Sequence, residues 1–467
     1  MKKNNILFRY FCFIVFLFYG NANAQTFTLD WSKNYGGSSM DFAEQISPTS
    51  DGGFVVIGRS SSSNGDVSTN MGQSDFWLVK LDSNGNLQWQ KTFGTVDSDL
   101  GKSVQQTSDG GYIVGGYIIK NGIYTGWILK LNNIGEVVWD KKIDNSLILN
   151  IQQVGGNSYL LSGSIDFKPA LIKLDNSGNV VWEKQFTSGS NFATIIETGN
   201  EYVGATVSGS IYKVSSNTGN VVWQTEIANE MLSKVILTSD NKYMVMGTNG
   251  KDTFGYSVSQ INAQGVVEWN KSFESQLPNS FGNDIVEVSD GYVLLGISQD
   301  NISGTLDMNN TLVKIDKSGN YVWRKMAGGS KAEGSNNIFS KASIIKVSEG
   351  SYVVASSSMS SDRDLPANKG DFDFWVYKIS ASPVQSVNDV SKNTFSVYPN
   401  PVVDFLSIKS DKKIASVEIY SVDQRLLFTN SDIKDNKVSL KSLSKGVYVV
   451  RFIDENKNIT TKKIIKD

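Results

Sequence analysis

Acidic and basic side chains recur at one place in a repeating pattern, in the segments that lead into the first strand of each repeat. Met40-Asp41-Phe42-Ala43-Glu44 and Ser98-Asp99-Leu100-Gly101-Lys102 align with one another, and Asn283, Asp284 and Lys341 lie in comparable segments. Carboxylates and lysines gathered around one opening suit two kinds of chemistry. They can hold a sugar, a cation or a peptide by charge and hydrogen bonding, or a carboxyl pair can divide acid and base work across a glycosidic bond. Histidine can take no part, because the chain contains none. That removes the usual base at neutral pH, the Ser-His and Cys-His nucleophile pairs and the commonest zinc ligand. The single cysteine, Cys12, lies in the apolar leader, which leaves the remainder without disulfide or thiol chemistry. No catalytic residue, metal ligand set or cofactor site is identified, and we expect none.

Composition sets the class. Of 467 residues, 40% are hydrophobic and 11% aromatic, enough for two or three domains with real cores. Forty-two Gly against seven Pro suit a chain of many strands and tight turns. The net charge of -2, divided between an acidic middle and a mildly basic tail, argues against a nucleic-acid binder.

The elements that position the candidate residues repeat. The unit is plainest at Lys102–Ile143: a strand, an Asp-Gly-Gly turn, a second strand opening on Tyr112, a third at Trp127-Ile128-Leu129-Lys130-Leu131, a Gly135 turn, and a fourth ending Val137-Val138-Trp139. The fourth strand recurs around Trp31, Trp89, Trp182, Trp223, Trp269 and Trp323, a spacing of about 49 residues, in the range of propeller blades. The chain opens on a fourth strand at 28–33 without its first three, and the final copy, from 342 to 380, lacks its Trp strand. A ring closed by pairing first and last strands leaves no exposed sheet edge. The reading is therefore all-β: a seven-bladed propeller of four-stranded blades over residues 25–380.

Other columns support the repeat. The second strand carries an aromatic (Phe54, Tyr112, Tyr159, Tyr202, Tyr243, Tyr292, Tyr352) and, four residues on, a small residue (Gly58, Gly116, Gly163, Gly247, Gly296, Ser356). Small side chains there let neighbouring blades approach. The third strand carries Lys80, Lys130, Lys173, Lys213, Lys314 and Lys378, with Gln260 in their place in one blade; we read this column as each blade's solvent side. Asp51, Asp109, Asp240 and Asp290 cap the first hairpin. The Asp82-Ser83-Asn84-Gly85-Asn86 loop has oxygen spacing suggestive of calcium. In its counterparts the glycine persists while the carboxylate comes and goes, so turn chemistry explains it better. The loop 60–75 and the insertion 328–337 are read as adaptable contact loops or spacers.

Gly178-Asn179-Val180-Val181-Trp182, Gly219-Asn220-Val221-Val222-Trp223 and Gly319-Asn320-Tyr321-Val322-Trp323 resemble the Gly-x-x-x-Trp signature of quinoprotein-like (PQQ-like) β-propellers. The resemblance implies a Trp docked between adjacent blades. It speaks to fold alone: the quinone dehydrogenases of that group usually have eight blades, and the vicinal cysteine pair many of them carry is impossible here.

Beyond a polar linker at 381–394, the pattern changes to a small β domain at 395–467. Tyr398-Pro399-Asn400-Pro401, Asp404, the Gly446-Val447-Tyr448 strand start and the closing Lys463 and Lys466, in this order, resemble the type A sorting domain of the type IX secretion system. Gln424 departs from it, standing where the family commonly has a turn glycine. The resemblance implies a small Ig-like β-sandwich that engages the secretion machinery and is cleaved off after export. Residues 1–24 read as a signal peptide: Lys2, Lys3 and Arg9, then the apolar run from Phe11, then Ala22-Asn23-Ala24. The expectation is a monomer on the outer surface of a Gram-negative bacterium, or released from it, after periplasmic transit. It binds an extracellular glycan or protein at the channel mouth, with Asp41, Glu44, Asp99, Lys102, Asn283, Asp284 and Lys341 as the residues involved. A carboxylate-dependent polysaccharide hydrolase or lyase on the same scaffold is the alternative.

Overall fold

The computed structural model describes residues 27–467 apart from 229, 251–253, 274–276, 278, 301–306, 335–340, 382–394, 411, 422–424, 432, 434, 456 and 457. The expected signal peptide, nearly all of the linker and Gln424 lie outside the described residues. Every element among the described residues is a strand, and 27–381 form seven four-stranded antiparallel sheets. Blade 1 is Asp41–Pro48, Phe54–Ser60, Asp75–Leu81 and Leu87–Phe93, from the channel outward. Blades 2 to 6 repeat this at 98–144, 146–185, 192–226, 230–272 and 280–327. Blade 7 takes its inner three strands from 343–381 and its outer strand from Phe27–Tyr35, which pairs antiparallel with Asp373–Ala381.

The cores lie between blades. Val56, Trp77 and Val79 of blade 1 share one cluster with Val353, Phe374 and Val376 of blade 7, and the arrangement repeats around the ring. Stacking buries apolar faces that one sheet could not cover alone. At six of the seven interfaces the outer-strand Trp lies over the glycine of the next blade's last turn. A Cβ placed on Gly85, whose φ is +73°, would lie 2.7 Å from the Trp31 ring; Gly265 stands in the same relation to Trp223, also at 2.7 Å. The glycine is thus required twice, for its left-handed turn and for the ring above it. Blade 7 has no such turn, and there Phe27 meets Trp323 edge-on, with ring centroids 4.6 Å apart.

Two columns have roles other than those expected. Three of the third-strand lysines are not on the solvent side: Lys80, Lys130 and Lys314 are buried, whereas Lys173, Lys213 and Lys378 are partly exposed. Each buried lysine reaches back to the aspartate of its blade's first turn, Lys80 to Asp51 at 2.7 Å, Lys130 to Asp109 at 2.8 Å and Lys314 to Asp290. In blades 1, 2 and 6 the lysine and the aspartate are one device, which clips the first hairpin to the third strand; Lys213 pairs with Glu201, Lys378 lies 3.7 Å from Asp30, and Asp240 lies 3.8 Å from Lys242 instead. The second-strand glycines make room chiefly within the blade. A Cβ on Gly58 would lie 1.9 Å from the Phe42 carbonyl oxygen of its own inner strand, and also 2.8 Å from the Phe374 ring of blade 7.

The loop 60–75 is no slack spacer. Ser62 Oγ receives the Ser39 amide, Asn64 Oδ1 the Ser38 amide and Asp66 Oδ2 the Gly36 amide, which binds the loop to the turn entering blade 1. The loop 358–373 repeats this residue by residue on the turn at 328–331, using Ser360, Asp362 and Asp364.

Residues 395–467 form a three-stranded sheet (Ser396–Tyr398, Phe405–Lys409, Lys437–Ser439) and a four-stranded sheet (Leu426–Asn430, Ile414–Ser421, Gly446–Asp454, Ile459–Lys466) around one core that includes Val402, Leu406, Ile419, Phe452 and Ile464. Asn400 joins the domain's two ends: its amide donates to the Lys463 carbonyl at 3.1 Å, and its oxygen accepts the Ile465 amide at 2.7 Å. Tyr398 is mostly exposed, the Tyr448 hydroxyl donates to the Ser444 carbonyl at 2.8 Å, and Gly446 pairs with Lys466.

Candidate functional site

The inner strands line the channel, and a shared irregularity decides which residues face it. Ladder pairing skips one residue in each of blades 1 to 6: Glu44, Lys102, Leu149, Ala193, Ser233 and Asn283. Ordinary alternation places Phe42 and Glu44 on the channel side and Asp41 and Ala43 between blades. The bulge then flips the pattern. Residues following it, such as Gln45, Lys234 and Asp284, turn to the channel, while Ile46, Val235 and Ile285 enter the core.

Five of the seven expected residues therefore meet in the channel: Glu44, Lys102, Asn283, Asp284 and Lys341. Asp41 and Asp99 do not join them. Both are fully buried at seams between blades, on the other side of their strands. Asp41 accepts from the Ser60 and Ser62 hydroxyls and the Gly37 amide, and Asp99 from the Thr95 amide and hydroxyl. These are structural contacts, which hold the turn entering each blade.

The channel groups are organised by charge. Lys102 is ion-paired to Glu44. Lys234, not among the expected residues, lies 3.5 Å from Asp284. Asp284 Oδ2 also accepts from the Ser343 hydroxyl at 3.0 Å and the Ile344 amide at 3.1 Å, which ties blade 6 to blade 7. Asn283 accepts the Ala342 amide at 3.4 Å. Lys341 enters just ahead of blade 7's inner strand. What exposure it has is to the channel, with protein on every side. Burial pushes its ammonium down to about 8; Glu44 and Asp284 oppose this, while Lys102 and Lys234 add to it.

Above this floor the mouth widens into a cavity of about 690 Å³. Its wall is mainly apolar: Phe42, Leu100, Leu147, Met231 and Phe281 stand two residues before the bulges, Asn191 holds that place in blade 4, and Tyr117 and Tyr124 also line the cavity. Arg59 sits at the rim, its guanidinium 4.8 Å from the Phe42 ring centroid. Sequence reasoning had not singled out this collar. Its signal was the column Phe42, Leu100, Leu147, Met231, Phe281, legible once the bulge is known. Among the described residues no group of three acidic, histidine or cysteine side chains could hold a metal ion. Asp82, where calcium was considered, spends its carboxylate on the amides of Asn84 and Asn86, both at 2.8 Å.

Comparison with known proteins agrees with this architecture. Residues 396–467 match the family described as secretion system C-terminal sorting domain, and residues 74–276 the family described as outer membrane protein assembly factor BamB. No curated protein matches the chain. Among solved structures, the β-propeller domain of Cps50 (Swd1) from Myceliophteria thermophila is similar over 76% of this chain and 100% of its own, at 11% identity and a TM-score of 0.51. BamB from Moraxella catarrhalis is similar over 77% of this chain and 98% of its own, at 15% identity and a TM-score of 0.45. The chain thus joins a PQQ-like repeat β-propeller to a type IX C-terminal sorting domain, which marks it as a secreted or cell-surface protein that interacts with the secretion machinery.

Proposed function

We propose that this chain is a binding module on the outer surface of a Gram-negative bacterium, or released from it, which takes an extracellular ligand at its channel mouth and performs no turnover there. The carrying observation is the cavity itself: preformed, walled by apolar and aromatic side chains and floored by a few convergent polar groups. Passage through the periplasm behind a signal peptide at 1–24, with the sorting domain removed at the surface, belongs to the same reading. Extracellular glycans and proteins both present ligands of suitable size.

The alternative, a carboxylate-dependent hydrolase or lyase, needs one carboxyl kept protonated as general acid. Glu44 is ion-paired to Lys102, and Asp284 lies 3.5 Å from Lys234 while accepting from Ser343 and Ile344, so both carboxylates are already engaged within the protein. Purified protein should be tested on glycan, peptide and organic-acid arrays, with reducing-end release followed in parallel. Binding that Lys102→Gln weakens, without product release, is the expected result. Turnover abolished by Glu44→Gln or Asp284→Asn, with ligand still bound, would overturn the proposal.

A further inference from the structure

The chemistry of the mouth restricts what it can hold, and this step rests on the binding reading above. Four charged side chains line the cavity: Arg59, Lys102, Lys341 and Glu44. The one carboxylate is taken by Lys102. Among the described residues, Arg59 at the rim and Lys341 at the floor have no carboxylate in ion-pair contact; Arg59 rests on the Phe42 ring instead. A buried cation without a direct anionic partner is costly unless an anion neutralises it, and the charges around Lys341 include two further lysines, Lys102 and Lys234. Most of the wall is hydrocarbon: Leu100, Leu147, Leu149, Met231 and Phe281 offer a ligand neither donors nor acceptors from their side chains, and Asn191 and Thr248 interrupt it on one side.

We propose that the channel mouth binds an organic anion with an apolar body, a carboxylate whose acidic head sits on Lys341 and whose alkyl or aryl portion fills the collar beneath Arg59. The floor adds a finer feature. Glu44 Oε2 is buried and accepts no hydrogen bond, although Oε1 of the same carboxylate is paired with Lys102. A buried acceptor left open is costly in a finished structure. A donor beside the acidic head, such as a hydroxyl on a neighbouring carbon, would satisfy it. Saccharides fit less well, since only part of the wall, at Asn191, Thr248 and the tyrosines, could partner their many hydroxyls. Simple inorganic anions would leave the collar empty.

The test is calorimetric titration of the full chain with decanoate, 3-hydroxydecanoate, acetate and decyltrimethylammonium. Decanoate should bind, with 3-hydroxydecanoate tighter by about threefold or more, whereas acetate and the cation should not. Lys341→Met should weaken decanoate by about tenfold or more, and Arg59→Gln by less. Affinity should also fall as pH rises past 8. Arg59 is half-exposed, so its variant remains informative if Lys341→Met disturbs the fold. Equal binding of decanoate and decyltrimethylammonium, or binding indifferent to both substitutions, would overturn the inference. If decanoate fails while an array ligand binds in a manner sensitive to Lys102→Gln, the anion assignment falls and the binding module stands. If nothing binds at the mouth, both fall.

Discussion

Asp41 and Asp373, from the first and last blades, converge on Gly36. A Cβ built on that glycine would lie 2.6 Å from Asp41 Oδ2 and 2.2 Å from Asp373 Oδ1. The Asp41 amide donates to the Phe372 carbonyl at 2.6 Å, so the seam that closes the ring brings two buried carboxyls together. Asp99 and Asp75 repeat the relation one seam on, the Asp99 amide donating to the Ser74 carbonyl at 2.6 Å. The third instance, with Glu333 donating to the Met308 carbonyl, places Asn309 where the others have Asp373 and Asp75.

These pairs should make stability depend on pH. Burial raises Asp75 and Asp373 to about 6, with Asp99 and Asp41 respectively adding to the shift. The folded value exceeds the unfolded value near 4, so the fold holds protons that the unfolded chain has released. Their contribution is fully present below about pH 4, is lost as pH rises to about 6, and is flat above. Asp373→Asn, the substitution already present as Asn309, should therefore stabilise at pH 7 by about 1–3 kcal/mol and flatten the decline between pH 4 and 6. Urea melts from pH 4 to 7 would show it, and a variant as pH-sensitive as the parent would contradict the pairing.

The clip between first hairpin and third strand should respond asymmetrically. Lys80 is buried while Asp51 is half-exposed. Asp51→Ala leaves an ammonium in the blade without its anion, whereas Lys80→Met replaces it with a side chain of similar shape. The first should cost more, by about 1 kcal/mol. Lys80, with smaller help from Thr49 and Gly53, holds Asp51 near 2 despite the opposing effect of its burial. The clip's contribution should therefore persist above about pH 4 and disappear as pH falls to about 2. Equal destabilisation by the two variants, read from thermal melts, would count against it.

Closure should be cooperative with the Trp dock. Removing residues 27–35 uncovers the edge of the Asp373–Ala381 strand, takes away the Ser32 hydroxyl that receives the Trp375 indole N–H at 2.9 Å, and strips Phe27 from Trp323. That truncation should lose the cooperative melt. The milder pair Phe27→Ala and Trp323→Ala should show a coupling of about 0.5–1.5 kcal/mol in a double-mutant cycle. Additive effects would mean that the two rings do not act together.

Export should depend on the last strand. Deleting 462–467 removes Ile464 from the sorting-domain core, the partners of Asn400 and the strand that Gly446–Asp454 pairs with. The truncated protein should accumulate in the periplasm while its propeller still melts as in the parent. Normal surface delivery of the deletion, followed by fractionation and immunoblotting, would remove the sorting role. An intact C-terminus by mass spectrometry on surface material would remove the cleavage step.

Blade count, strand order and the closing strand were legible because each depends on local patterning: alternation within strands, glycine at left-handed turns and one Trp per repeat. The sorting domain was legible because its motifs are contiguous and ordered. Tertiary structure decided the rest. Asp41 and Glu44 look equivalent in the sequence, both acidic and three residues apart, yet alternation sends one into a seam and the other into the channel. Asp284 and Lys234 reach the channel only through a bulge, a backbone feature that no residue type announces. Lys80 could not be recognised as buried until the turn carrying Asp51 folded back over its strand. Arg59 and Lys341, from the first and last blades, acquire a common cavity only when the ring closes.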